Sequence, residues 1–113
     1  MPRFKRAKYL NTKVQFKGLT FYSKKERDYY IFLLSEKQAG KIKHIKCQLK
    51  YELIPKNDKF REVAYFADFA ITDYQGNVRV IDVKNPYTRK NDKTYIIKRK
   101  LMYHCYKILV EEV

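Results

Sequence analysis

The stretch from Tyr65 to Lys84, YFADFAITDYQGNVRVIDVK, constrains this chain more than any other. Val63–Thr72 and Val78–Val83 are rich in Val, Ile, Phe and Tyr, and Asp73-Tyr74-Gln75-Gly76-Asn77 separates them. That pattern predicts two antiparallel strands and a tight turn. A three-residue loop, Tyr74-Gln75-Gly76, puts Gly76 where positive φ is required and sets Asp73 opposite Asn77. Followed along the ladder, the same register sets Asp68 opposite Asp82. Strand side chains alternate, so Asp82 and Lys84 share a face. Two carboxylates and an ammonium then converge at the end of an apolar hairpin.

Carboxylates in close apposition repel, and their protonation is pushed upward unless a cation intervenes. A hard divalent cation such as Mg²⁺ favours carboxylate oxygens and removes the conflict. The same residues also allow a plainer reading: a surface ion pair between Asp82 and Lys84 on an edge strand, with Asp68 exposed elsewhere. Spacing alone leaves both open.

With 113 residues the chain suffices for one small domain with a single core. Lys and Arg total 26 against 12 acidic residues, a net charge of +14. A field of that sign attracts polyanions, so nucleic acid is the expected partner, whether DNA or a structural RNA. An anionic membrane is disfavoured, because no long amphipathic basic helix or lipidation signal is present. No window reaches the apolar length of a membrane span, and MPRFKRAKYL lacks the apolar core of a signal peptide. The expectation is a cytoplasmic protein. Cys47 and Cys105 lie in apolar contexts and read as buried thiols. His44 and His104 stand near them, but the spacing of a zinc knuckle is not reproduced.

Residues 1–13, with Lys5, Arg6, Lys8 and Lys13, form a basic arm suited to phosphate contact, and 14–113 form the single domain. Val14-Gln15-Phe16 and Leu19-Thr20-Phe21 flank the turn signal Lys17-Gly18, predicting a small hairpin. Ser23-Lys24-Lys25-Glu26 is a capping box that opens a helix through Gln38, with Gly40 at the left-handed stop. Glu26 is then either a helix cap or an inward-pointing carboxylate. Ile42 to Leu53 alternates, with Ile45, Cys47, Leu49, Tyr51 and Leu53 on one face and Gln48 on the other. After Lys84, Asn85-Pro86-Tyr87 breaks the strand, and Thr88 to Lys93, including Arg89 and Lys90, reads as a basic loop placed for substrate contact. Thr94 to His104 predicts a helix with Ile97 and Leu101 on one side and Lys98, Arg99 and Lys100 supplying charge; Ile108–Val110 predicts a last short strand.

This order resembles the PD-(D/E)XK nuclease superfamily, whose core is a mixed α/β sheet flanked by helices. More closely, it is similar to small phage and prophage proteins catalogued as a domain of unknown function and related to archaeal-type Holliday junction resolvases. FKGLTFYSKKE, the Gln48 strand ending in YELIP, YFADF, IDVK and the KRKL helix carry the likeness, over roughly residues 9 to 112. Asp68 is preceded by Ala67 rather than Pro, a position that supplies no ligand in that superfamily. The resemblance implies a metal-dependent DNA endonuclease acting on branched DNA, as a homodimer whose two-fold axis matches the junction, in a bacterial host cell. It implies Mg²⁺ or Mn²⁺ held by Asp68, Asp82 and the Val83 carbonyl, with Glu26 completing the site. By the same likeness Lys84 orients or deprotonates the attacking water, and Gln48, Arg89, Lys90, Lys98 and Arg99 stand near the nucleic acid. The alternatives are a nicking or end-processing duplex nuclease and a basic DNA-binding protein that does no chemistry.

Overall fold

The chain runs β1 (Val14–Phe16), β2 (Leu19–Phe21), α1 (Lys24–Gln38), β3 (His44–Ile54), β4 (Val63–Thr72), β5 (Val78–Asp82), α2 (Pro86–Asn91), α3 (Lys93–Tyr106) and β6 (Glu111–Glu112). The structure is a computed structural model and describes residues 13–113, so the expected basic arm falls outside the described residues except for Lys13.

Local chemistry accounts for most of these boundaries. Lys17 and Gly18 both take positive φ, 52° and 79°, as a two-residue hairpin turn requires, and β1 pairs with β2 from Val14↔Phe21 to Phe16↔Leu19. Ser23 caps α1 by accepting from the Glu26 N–H, and Gly40 follows the helix at φ 83°. Between β4 and β5 the Asp73 carboxylate accepts from the Gln75 and Asn77 N–H groups while Gly76 sits at φ 89°. The expected register follows: Phe69 pairs with Ile81 and Thr72 with Val78.

β3, β4, β5 and β6 form one mixed sheet in that order, antiparallel except for the parallel β5–β6 pair. An α+β domain with a mixed sheet between helices is what the sequence led us to expect. One face packs Phe69, Ile71 and Ile81 against Phe21 and the α1 residue Leu33. The other packs Tyr65, Ala67, Ala70 and Val80 against Tyr95 and Met102 of α3 and against Val110. Each large side chain sealed here contributes about 1.5–3 kcal/mol of burial.

Five expectations need correction. The alternating residues of β3 do not share a face: Ile45 and Cys47 pack with the α1 core, whereas Leu49, Tyr51 and Leu53 pack with the α3 core. The swap occurs at Gln48, whose backbone is left-handed at φ 52°, and pairing with β4 skips from Cys47↔Phe69 to Leu49↔Ala67. Residues 86–91 are a short helix rather than a loop, because Asn85 accepts from the Thr88 N–H and Pro86 occupies the first turn. On α3, Tyr95 and Met102 are the buried residues; Leu101 is only partly covered, and Ile97 is 57% exposed. Burying Tyr95 is tolerable because its hydroxyl donates to Glu112. Finally, the last strand is not Ile108–Val110 but Glu111–Glu112, whose carboxylates accept from Arg79 and Tyr95, while Val110 enters the α3 core. Cys105 is exposed rather than buried, its thiol donating to the Leu53 carbonyl, and Cys47 is half-buried in the α1 core.

Candidate active site

Among the described residues, the buried polar or charged side chains are Glu26, 4% exposed, and Asp82, 1% exposed. Both are residues that the sequence singled out. Glu26 lies in the first turn of α1, and its carboxylate serves two elements at once. Oε1 accepts from the Tyr22 N–H at 2.9 Å, one residue earlier than a capping box would reach, and Oε2 accepts from the Gln48 amide at 3.0 Å. Glu26 is therefore a capping residue that also points inward.

Asp68 and Asp82 approach because the β4–β5 register, extended one step beyond Phe69↔Ile81, sets them side by side. Asp68 Oδ2 accepts from the Val83 N–H at 2.8 Å, and its Oδ1 accepts from Gln48 Nε2 at 3.2 Å. The Tyr65 hydroxyl donates to Asp82 Oδ2, and Lys84 Nζ lies 3.3 Å from Oδ1. The backbone around these residues is pinned by Val113, whose N–H donates to the Asp82 carbonyl and whose carbonyl accepts from the Lys84 N–H. Lys84 extends over the face of Tyr95, its ammonium 4.9 Å from the ring centroid.

Burial, then the adjacent Asp68 carboxyl, push the Asp82 carboxyl up to about 7, against the opposing pull of Lys84 and Tyr65. Burial, followed by the neighbouring Asp82, also raises the Tyr65 phenol, which keeps it a donor. A buried carboxyl raised in this way beside a second carboxylate is a place where a cation can stand in for the proton.

A cleft of about 540 Å³ opens in front of this cluster, lined among others by Tyr22, Lys25, Glu26, Asp68, Val83 and Lys84. Asp82 lies behind Asp68 and Lys84 rather than in the wall. Among the described residues no three His, Cys, Asp or Glu side chains are gathered as a metal cage. Two adjacent carboxylates are oxygen donors of the kind a hard cation takes, with Val83 beside them in the cleft lining.

The other predicted residues are placed unequally. Arg89 on α2 donates to the Lys84 carbonyl at 3.1 Å and so adjoins the cluster, and Lys90 is exposed on the same helix. Lys98 is half-buried on α3. Arg99 is turned to another task, donating to the Val110 carbonyl at 3.0 and 2.8 Å with Glu112 at 3.8 Å, where it supports β6. Sequence reasoning missed Tyr65, Tyr95 and Glu112. A tyrosine in a core strand carries no local signal that its hydroxyl serves a carboxylate. Lys25 was also missed; its ammonium lies 3.5 Å from the Lys84 carbonyl at the cleft rim.

A family profile described as protein of unknown function (DUF1064) matches residues 6–112, and the chain belongs to that family. No curated protein matches the chain, and no solved structure does.

Proposed function

We propose that this family member is a metal-dependent DNA endonuclease with a PD-(D/E)XK-like core. One observation carries the reading: Glu26, Asp68 and Lys84, from three separate parts of the chain, line one cleft with Asp82 directly behind them, and the Glu26 and Asp82 carboxylates are buried. A carboxylate cluster is costly in a protein that only binds phosphate, since it repels the ligand and destabilises its own fold. It is useful where a phosphodiester must be hydrolysed. The element order, with helix α1 followed by three antiparallel strands, helix α3 and a parallel edge strand, also agrees with that core.

Mg²⁺ or Mn²⁺, held by Asp68, Asp82 and the Val83 carbonyl, would supply a water ionised near neutral pH and neutralise charge on the scissile phosphate. The chain's own groups do the rest. Lys84, at the cleft wall beside Asp82, orients the attacking water, whose proton is released to solvent, and its ammonium faces the negative charge that grows on the phosphate oxygens. Glu26 stands behind Asp68 through the Gln48 amide. Lys25 and Arg89, both on the Lys84 carbonyl, bring positive charge to the rim where a phosphate backbone would lie. Branched DNA and a homodimer matched to its two-fold symmetry are the preferred substrate and assembly, on family likeness.

The test is cleavage of a labelled four-way junction beside its linear arms, with Mg²⁺ or Mn²⁺ and with chelator, for wild type and Asp82→Asn. Paired symmetric cuts in the junction, lost with chelator and in the variant, are expected. Equal cutting of linear duplex would replace the junction by a nicking or end-processing role. Metal-independent binding without product would leave a DNA-binding protein without chemistry.

A further inference from the structure

Three non-glycine residues among those described take positive φ: Lys17 in the first hairpin turn, Lys107 at the α3 C-cap, and Gln48. The first two occupy places where a left-handed residue is ordinary. Gln48 is in the middle of an eleven-residue strand. A left-handed conformation strains a residue with a Cβ, and glycine would relieve it. The ladder gives up pairing at this position as well, between Cys47↔Phe69 and Leu49↔Ala67. Strain of this kind persists where the surroundings hold it, and it collects at functional positions.

The side chain shows what the backbone achieves. Gln48 Nε2 stands 3.0 Å from Glu26 Oε2 and 3.2 Å from Asp68 Oδ1, joining a carboxylate on α1 to one on β4. Ionised carboxylates only accept, so the amide nitrogen rather than the amide oxygen must face them. A neutral donor is the unusual choice between two negative groups. Lysine or arginine there would bind them more strongly and would occupy the charge that a metal needs.

We propose that Gln48 is a positioning residue, held left-handed in β3 so that its amide presets Glu26 and Asp68 for a divalent cation without neutralising them. The proposal rests on the metal-dependent reading above. Gln48 is exposed and acts on the metal site through the two carboxylates it contacts.

Two variants separate this role from simple structural support. Gln48→Gly suits the backbone and removes the amide. Gln48→Lys restores a donor to both carboxylates in a conformation that Lys17 and Lys107 already adopt in this chain. Mn²⁺ binding to the full chain is measured by calorimetry, beside thermal unfolding of the metal-free protein and the kcat and KM of DNA cleavage. For Gln48→Gly we expect an unfolding temperature no lower than wild type, Mn²⁺ affinity weaker by about 10-fold or more, and a fall in kcat with KM for DNA unchanged. For Gln48→Lys we expect a more stable metal-free protein that binds Mn²⁺ at least as weakly. Wild-type Mn²⁺ affinity in Gln48→Lys would show the amide to be a structural tie and overturn the proposal. Unchanged affinity in Gln48→Gly would do the same. Mn²⁺ binding by wild type without any cleavage, with both variants weakened, would support the positioning role while the nuclease reading fails. Absence of Mn²⁺ binding by wild type would overturn both.

Discussion

Asp82 is the residue on which the site's chemistry and the protein's stability conflict. Its carboxyl is 1% exposed and lies beside Asp68, and it titrates near 7 instead of 3.8. A carboxyl raised in the folded state contributes stability that is complete below its unfolded value. That stability is lost as pH rises through the folded value, here between about 4 and 7. The full gap corresponds to ~4 kcal/mol as an upper limit. Asp82→Asn keeps an acceptor for Tyr65 and abolishes the charge. We therefore expect metal-free Asp82→Asn to be more stable than wild type at pH 8, by up to ~4 kcal/mol, with the gain shrinking towards pH 5. Urea unfolding at the two pH values measures it. No gain at pH 8 would mean that the Asp82 charge is accommodated without cost. Mg²⁺ at pH 8 should raise the melting temperature of wild type and leave that of Asp82→Asn unchanged.

At the scale of elements, the β4–β5 hairpin aligns the two aspartates, and its turn is where that alignment is set. Gly76 has φ 89° and no atom within 4 Å of where a Cβ would stand, so only backbone strain opposes a larger residue there. Gly76→Ala is expected to cost about 1–2 kcal/mol, read as a lower denaturant midpoint with an unchanged m-value. A loss well above that range would show that the turn controls the register of the whole hairpin and not its own conformation alone. The hairpins and the ends of α1 were legible because each depends on residues within a few positions of one another: Lys17-Gly18, Ser23 with Glu26, Gly40, and Asp73 through Asn77. α2 was not: Asn85 caps it and Pro86 opens it, but the polar, basic run from Thr88 to Lys93 reads as a loop. Nor was β6. Two adjacent glutamates become a strand because Arg79, Tyr95 and Arg99 wait for their carboxylates on other elements.

For the whole molecule, the excess positive charge and the cleft make a joint expectation. A chain of net charge +14 should bind DNA with strong salt dependence, each neutralised phosphate adding about −0.9 to the log–log slope. Lys25, at the cleft rim, is expected to account for about one such contact, so Lys25→Ala should lower the slope magnitude by roughly 0.9 without altering stability. Filter binding over a salt series tests this in the presence of chelator. An unchanged slope would place the DNA away from this cleft. No helix among the described residues is long and apolar enough to cross a membrane.

The sequence by itself determined the turns, the α1 cap and, through the register of one hairpin, the approach of Asp68 to Asp82 with Lys84 beside them. These follow from steric demands on φ and from hydrogen bonds a few residues long, which no distant contact needs to supply. Only the tertiary structure decided that Glu26 is buried, that Gln48 turns left-handed and divides the strand between two cores, and that Arg99 supports β6. It alone brought Tyr65 to Asp82 and Tyr95 to Glu112. Each of these depends on which acceptor lies within reach once elements far apart in the chain have packed. A periodic pattern records which residues prefer burial, but not which partner a buried polar group will find.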